Sequence, residues 1–84
     1  MGAGGLSPDQ GASDSHLLEA ELKRCIVEYA EEVIVVADSS KFGRKALASY
    51  ATLDQINKII TDGNAPAEML EVFRNQGIEV LIAE

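Results

Sequence analysis

The segment Val33-Ile34-Val35-Val36-Ala37-Asp38-Ser39-Ser40-Lys41-Phe42-Gly43 decides the fold, because its apolar run ends abruptly in an acid, two hydroxyls and a lysine. Consecutive apolar residues rich in valine are typical of a strand buried on both faces, and such strands belong to parallel sheets covered by helices. In open sheets of this kind, ligands bind beyond the carboxyl ends of the strands. The polar residues after Ala37 are therefore predicted to lie at a binding site.

The residues at this strand end suit an anionic, hydroxylated ligand. Lys41 brings a mobile ammonium with three donors, and Ser39 and Ser40 bring hydroxyls. Asp38 can orient the lysine or accept hydrogen bonds from sugar hydroxyls. We interpret this set as a site for a small phosphorylated polyol. The simpler alternative is a polar turn, because Asp and Ser favour turns through local hydrogen bonds.

Basic residues are concentrated just after this strand. Lys41, Arg44 and Lys45 are three of only seven bases in an otherwise acidic chain, which indicates a local anion site. For Arg44 and Lys45, a solvated loop face is the simpler interpretation.

Length and charge limit the function. A chain of 84 residues forms one domain at most, and a domain of this size buries only about 60 to 65% of its unfolded surface. The apolar content of 46% is too high for a disordered chain. With 14 acids against 7 bases the formal charge is −7, which repels a phosphate backbone. Any DNA binding is therefore expected to need another segment.

Motifs for metals, cofactors and membranes are missing from the sequence. Cys25 is the only cysteine and His16 the only histidine, so we predict no disulfide and no metal site. The glycines form neither a phosphate loop nor a dinucleotide fingerprint, and no cofactor is predicted. No apolar run approaches the roughly 18 residues that cross a bilayer, and the start does not resemble a signal peptide. A cytoplasmic protein without a membrane partner is expected.

The first half of the chain divides into a lead-in and a helix. Residues 1–14 are rich in Gly, Ser, Asp and Pro and are predicted to be a flexible lead-in. From Leu17 a spacing of three and four predicts a helix that fades around Glu31 and Glu32. Its predicted inner face consists of Leu18, Leu22, Cys25, Ile26, Tyr29 and Ala30.

Two further strands and a helix are predicted in the second half. Residues 43–52 give mixed signals and are helical by propensity, and residues 53–58 suit a turn of helix. Ile59 to Thr61 form a short strand that ends on Asp62. Pro66 opens a helix with Met69, Leu70 and Phe73 inside and Gly77 just beyond its end. Residues 78–82 form a third strand, at an edge because it contains Glu79.

This order predicts an α/β fold with a parallel sheet and right-handed crossovers. About three strands and two to three helices are expected, and two apolar helices cannot cover both faces of such a sheet. The chain is therefore interpreted as part of a larger layered domain. Its exposed sheet edges predict self-association, in the simplest case as a homo-oligomer.

Four sequence features together resemble the C-terminal effector domain of DeoR-family transcriptional regulators. These are A-D-S-S-K-F-G at 37–43, I-T-D at 60–62, G-I-E-V at 77–80, and G-A-S at 11–13 followed by E-A-E-L-K-R at 19–24. The similarity covers Gly5 to Ala83. One departure is Ser13-Asp14, where the family shows successive hydroxyl residues.

The resemblance implies a three-layer parallel sheet of the ribose-5-phosphate isomerase and glucosamine-6-phosphate deaminase type, of which residues 15–84 are a truncated, C-terminal portion. It implies an effector-sensing domain, not an enzyme, that binds a phosphorylated sugar. The sugar would modulate DNA binding, in a repressor, by an N-terminal helix-turn-helix absent from this chain.

By the family pattern, Asp38 and Lys41 contact the effector while Ser39 and Ser40 shape the loop between them. Secondary contributions are expected from Ser13, Arg44 and Asp62. The alternative is a fragment of a sugar-phosphate isomerase or deaminase, which needs a general base near the sugar carbons. In this chain only Asp38 and Asp62 could supply that base.

Overall fold

Two α-helices and two three-stranded sheets make up residues 1–83, the part of the chain that the computed structural model describes. In chain order the elements are β1 (Gly5–Ser7), β2 (Gly11–Asp14), α1 (Leu17–Tyr29), β3 (Ile34–Val36), β4 (Ala48–Ala51), β5 (Lys58–Asp62), α2 (Ala67–Asn75) and β6 (Glu79–Ala83). Short 3-10 turns span Ser39–Lys41 and Leu53–Gln55. The predicted α/β class is confirmed.

The three predicted strands form one parallel sheet in the order β3-β5-β6. Val35 pairs with Ile59, which in turn pairs with Val80 on the far side. Gly2 makes an isolated parallel bridge to Val36 on the outer side of β3. Within residues 1–83 β6 is an edge strand with Glu79 exposed, as its charge predicts.

The expectation that the valine-rich strand is buried on both faces is wrong. Val33, Val35 and Ala37 are buried, but Val36 between them is 52% exposed. Val36 shares its sheet face with Leu81, which is also exposed. The reason is the placement of the helices, since α2 packs on β6 and α1 packs on the other sheet. Residues 1–83 therefore do not complete a three-layer arrangement.

The prediction of an irregular lead-in over residues 1–14 is also wrong. This segment forms β1 and β2, which pair antiparallel and join β4 in a second sheet, with Leu6 and Ala12 fully buried. Its glycines permit close packing: a Cβ on Gly5 would lie 2.3 Å from the Arg44 carbonyl oxygen. Gly11 has φ +71°, which favours glycine. The Gly- and Ser-rich composition of this segment, which is typical of loops, here allows the close approach of strands in a tight hairpin.

Residues 48–51 form a strand where propensity favours a helix. β4 pairs antiparallel with β2 and buries Tyr50 and Ala51. The Tyr50 hydroxyl donates to the Gly2 carbonyl at 2.9 Å, so this ring also ties the sheet to the start of the chain. Pairing with β2 is a nonlocal interaction, and such tertiary contacts override weak helix propensity.

The start of α1 at Leu17 agrees with the prediction, but the helix ends at Tyr29, before Glu31, and its orientation differs from the predicted one. Ala20 and Val27 are its buried residues. The predicted inner face is exposed instead, and its members are Leu18, Leu22, Cys25, Ile26, Tyr29 and Ala30. The helix packs on β4 and β2 on its other side, where Arg24 donates to the Ser49 carbonyl at 2.7 Å and Lys23 lies over the Tyr50 ring.

The second helix follows its sequence signals closely. Pro66 precedes α2, and Gly77 lies just beyond its end with φ +85°. Leu70 and Phe73 are buried against the core, as predicted, and Met69 packs at its border. Neither α2 nor any other helix within residues 1–83 has the length and apolar content that crossing a membrane requires.

Candidate functional site

A shallow cavity lies where the strands of the parallel sheet end. Its volume is about 190 Å³, and it is lined by Val36, Ala37, Asp38, Ile60, Thr61, Asp62 and Ala83. These residues come from the carboxyl ends of β3, β5 and β6 or directly follow them. Asp38 and Asp62 lie at the ends of neighbouring parallel strands, and both residues line this one cavity.

A second, larger groove lies on the outer surface of α1. It has a volume of about 400 Å³ and is lined by Cys25, Ile26, Tyr29 and Ala30. No carboxylate or basic side chain lines it, so it lacks the groups that would orient a polar ligand. The smaller cavity at the strand ends is therefore the stronger candidate.

Asp38 organises the turn that follows β3. Its carboxylate accepts hydrogen bonds from the Ser40 amide at 2.9 Å and from the Ser40 hydroxyl, capping the turn Ser39–Lys41. These bonds, with a smaller contribution from the nearby Lys41 ammonium, hold the pKa of Asp38 below its usual value. Asp62 opposes the shift slightly as a neighbouring negative charge. Asp38 is consequently ionised at neutral pH.

Asp62 joins the loops after two neighbouring strands. Its Oδ2 accepts from the Ser39 amide and its Oδ1 from the Asn64 amide, both at 2.9 Å. The Ser39 amide is the main reason that the pKa of Asp62 lies below its usual value. Because β3 and β5 are adjacent, this carboxylate fixes the turn that carries Lys41 against the end of the central strand.

Lys41 presents an ammonium without a protein acceptor. It is half-buried at the end of the turn, and its Nζ makes no hydrogen bond or ion pair with residues 1–83. It does not line the cavity itself, but its charge acts on Asp38, which does. An ammonium with unused donors is suited to an anion.

Of the secondary candidates, Asp62 lines the cavity, whereas Ser13 and Arg44 occupy other positions. Ser13 is fully buried, and its hydroxyl donates to the Gly5 carbonyl at 3.4 Å and accepts from the Ala46 amide at 3.0 Å. It thus holds the segment after the turn against β1 and β2 and does not line the cavity. Arg44 is exposed, and Lys45 pairs with Asp9 on the surface, as a solvated loop face predicts.

Thr61 is a cavity residue that the sequence reasoning missed. It is 4% exposed, and its hydroxyl has no hydrogen-bond partner within residues 1–83. The signal was present in the alternation of β5, where Ile59 and Thr61 take the buried positions. A hydroxyl in a buried position of a central strand needs a partner, and that requirement could have directed attention to it.

The described residues offer no preformed metal site. Across 1–83, no three or more His, Cys, Asp and Glu side chains are grouped so that they could hold a metal ion. The site therefore consists of two ionised carboxylates, apolar walls and an adjacent ammonium. This arrangement can bind a small ligand that combines hydroxyl groups with an anionic group.

A scan against family models matches residues 1–63 to the DeoR C terminal sensor domain. The chain is 44% identical over 83 residues to the HTH-type transcriptional regulator IolR of Bacillus subtilis (strain 168), a match that covers 99% of the chain and 33% of the relative. It is 35% identical over 81 residues to the HTH-type transcriptional regulator GlpR of Haloferax volcanii, covering 96% and 32%.

A third relative is the glycerol-3-phosphate regulon repressor of Escherichia coli (strain K12), which is 28% identical over 80 residues. This match covers 95% of the chain and 32% of the relative. The chain therefore spans about a third of the length of the curated relatives that it matches.

Proposed function

The chain belongs to the DeoR family, as part of its C-terminal sensor domain, and from this premise we propose that it binds a phosphorylated sugar as an effector. In the intact regulator the bound sugar modulates DNA binding by a helix-turn-helix module outside these 84 residues. The charge of −7 supports the assignment of DNA binding to another module, because it opposes direct contact with a phosphate backbone. A repressor acting in the cytoplasm is the form of regulation that we propose.

The observation that carries this proposal is the unpaired ammonium of Lys41 beside a cavity edged by Asp38 and Asp62. An ammonium attracts the phosphate, and carboxylate oxygens accept hydrogen bonds from sugar hydroxyls. Ser39 and Ser40 shape the loop between the two contact residues, because their amides donate to the Asp62 and Asp38 carboxylates. One relative is named a glycerol-3-phosphate regulon repressor, and a small phosphorylated polyol is the ligand class that these residues suit.

The chemistry of the two carboxylates favours a sensor over an isomerase or deaminase. A general base works best with a pKa near the operating pH. Both Asp38 and Asp62 have pKa values below the usual range, and both accept hydrogen bonds that hold loops in place. Each carboxylate is therefore a weak base, and each also stabilises a loop through its hydrogen bonds.

The incomplete layers support a larger parent domain. The open sheet face with Val36 and the exposed side of α1 both need cover that residues 1–83 do not supply. We propose that the chain, with β1 and β2 included, is the C-terminal portion of a sensor domain with the isomerase-type three-layer architecture. A homo-oligomer is the proposed assembly, because a second copy can cover apolar surface that one copy leaves open.

Isothermal titration of the chain with sugar phosphates tests the proposed function. The panel includes glycerol 3-phosphate, fructose 6-phosphate and glucose 6-phosphate, each matched with its unphosphorylated form. We expect at least one phosphorylated compound to bind and its unphosphorylated partner to bind at least tenfold more weakly. Lys41→Ala should weaken that binding about tenfold, which is the loss of roughly 1.4 kcal/mol of charge-assisted hydrogen bonding.

Lys45→Ala is the matched control, because Lys45 lies on the same loop but already pairs with Asp9. It should leave the affinity within about twofold of wild type, since exposed pairs contribute little. Equal losses of affinity in Lys41→Ala and Lys45→Ala would indicate nonspecific charge attraction and would contradict the proposed role of Lys41. Conversion of a sugar phosphate by the chain, followed by NMR of the products, would favour the enzyme alternative.

A further inference from the structure

The exposed side of α1 carries a stripe of apolar side chains with the spacing at which helices pair. The members follow one another at intervals of four, three and four residues, as Leu18, Leu22, Cys25 and Tyr29. This alternation keeps side chains in one line along a helix and is typical of two helices packed side by side. Ala20 and Val27 are the buried residues of α1 and lie on its opposite side. The stripe therefore faces away from the core of its own chain.

The two halves of the stripe differ in shape. The first half presents the exposed side chains of Leu18 and Leu22. The second half is a groove of about 400 Å³ that is lined by Cys25, Ile26, Tyr29 and Ala30. In a two-fold contact the same surface meets itself, so one end of the stripe lies against the other end of the second copy. Each groove then receives the leucines of the other copy.

We propose that two copies of the chain pair through α1 in antiparallel orientation. Leu22 lies against the partner's Cys25, and Leu18 lies against the partner's Tyr29. The two-fold axis makes each of these contacts twice. This inference goes beyond the proposed function, because none of these residues lines the cavity at the strand ends. It gives the proposed homo-oligomer a defined contact.

The exposed apolar area is large enough for such a pair. The large side chains of this face, Leu18, Leu22, Ile26 and Tyr29, are between 56% and 83% exposed. With Cys25 they offer roughly 500 Å² per copy, since a large aromatic side chain alone accounts for about 150 to 250 Å². Pairing then removes about 1,000 Å² from water, which is the lower limit for a specific interface. The contact is therefore expected to be reversible.

The charges beside the stripe oppose antiparallel pairing, but only weakly. Lys23 and Arg24 are the bases of this helix, and both are engaged within their own copy. Antiparallel pairing brings Glu21 near the partner's Glu28, and a like-charge pair of this kind weakens association about twofold. Burial of one leucine side chain favours association about tenfold or more. The leucines that enter the two grooves therefore outweigh the acidic contacts.

Disulfide trapping distinguishes antiparallel from parallel pairing. A tagged chain with Leu22→Cys and Cys25→Ala is mixed with the untagged wild-type chain at micromolar concentration and oxidised briefly with diamide. In the antiparallel pair, the introduced thiol lies opposite the partner's Cys25, where a disulfide can form. We expect mixed dimers of one tagged and one untagged chain to predominate. Wild-type chains should cross-link with one another poorly, because their Cys25 residues are offset by about 4.5 Å along the helix axis.

A tagged chain with Val72→Cys and Cys25→Ala is the control, because Val72 is exposed on α2, away from the stripe. It should give at least fivefold less mixed dimer. All the substituted positions are exposed, so circular dichroism should show an unchanged fold for both tagged chains.

Glu28→Lys tests the charge relationship without changing the apolar stripe. It replaces both like-charge pairs by attraction to the partner's Glu21, so the dissociation constant of the dimer should fall about tenfold at low salt. Glu71→Lys on α2 changes the net charge equally and should leave this constant within about twofold of wild type. Sedimentation equilibrium measures all three chains.

Other results would overturn the inference. Cross-linking of wild-type chains through Cys25 in excess of the mixed dimer would show parallel pairing. Mixed dimer at no more than the level of the Val72→Cys control, or an equal effect of Glu28→Lys and Glu71→Lys, would show that α1 does not form this contact. A wild-type chain that stays monomeric would leave α1 to another occupant. None of these outcomes changes the sugar-phosphate titration, which tests the proposed function separately.

Discussion

Phe42 packs edge-on against Phe73, with ring centroids 5.8 Å apart and ring planes at 71°. Phe42 directly follows Lys41, and Phe73 is a fully buried residue of α2. On the other side of the same segment, the Gly43 amide donates to the Leu6 carbonyl of β1 at 2.8 Å. The candidate turn is thus anchored to the core and to both sheets, which fixes where the ammonium of Lys41 can reach.

The aromatic contact leads to a prediction about the turn. Phe42→Leu keeps an apolar side chain but removes the edge-to-face contact, which stabilises by about 0.5 to 1.5 kcal/mol beyond area burial. We expect urea denaturation to show a loss of roughly 1 to 2 kcal/mol. Sugar-phosphate affinity at 25 °C should fall severalfold, because the turn is less well ordered before binding.

Leu47→Ala is the control for this prediction, since Leu47 is 70% exposed on the same connection. Its effect on stability should stay within about 0.5 kcal/mol. A Phe42→Leu chain that loses stability but binds as tightly as wild type would show that the aromatic contact does not position the turn.

The elements that the sequence predicted correctly are those whose signals are local. β5, β6 and α2 follow from short apolar runs, from Pro66 and from Gly77. The hairpin of β1 and β2 and the strand β4 were missed, because their stability comes from pairing across residues distant in sequence. The orientation of α1 was inverted for a related reason: periodicity identifies an apolar face but not the partner that covers it.

The site, too, could be predicted from the sequence only where local signals and sheet topology determine it. Asp38 follows β3 and Asp62 ends the neighbouring parallel strand β5, so topology alone brings them together. The burial of Ser13 could not be foreseen, because it depends on Ala46, which is 33 residues away. Thr61 stands out only when its environment is known, because a threonine in a strand is ordinary and one without a hydrogen-bond partner is not.

The ion pair between Lys23 and Asp14 leads to a prediction about acid stability. Lys23 Nζ lies 2.6 Å from Asp14 Oδ2, and this bond is the main reason that the pKa of Asp14 lies below its ordinary value of 3.8. The folded chain binds the proton of the Asp14 carboxyl group less tightly than the unfolded chain does. The ion pair therefore stabilises the folded state fully at pH values above the pKa of Asp14 in the unfolded chain. The stabilisation disappears as the pH falls through the folded pKa. Asp38 and Asp62 are shifted in the same direction.

We therefore expect the melting temperature to be nearly constant from pH 7 to about pH 5 and to fall below about pH 4. Asp14→Asn should lower the melting temperature at pH 7 and make the acid decline shallower, because one of the linked carboxylates is gone. Thermal unfolding by circular dichroism across this pH range measures both effects. If the melting temperature of Asp14→Asn falls as steeply with decreasing pH as that of wild type, Asp14 does not contribute to the acid sensitivity of the fold.

The exposed side of α1 leads to a prediction about assembly. Leu18, Leu22, Ile26 and Tyr29 are between 56% and 83% exposed and share one helical face, which also borders the groove at Cys25. Contiguous apolar surface of this kind is typical of an interface. We expect the chain to sediment as a dimer or larger species at about 10 μM, because burial of apolar surface favours association.

A double substitution on α1 should prevent this self-association without weakening the fold. Leu22→Glu with Ile26→Lys places a favourable pair at i and i+4 on a face that is already open, so the melting temperature should change by no more than a few degrees. Val72→Glu on α2 is the control, since Val72 is exposed on a different helix and should leave the assembly intact. Sedimentation velocity distinguishes the outcomes. A wild-type chain that is monomeric at this concentration would remove α1 as a self-association face, whereas assembly that survives the double substitution would transfer the interface to the open edge of β6.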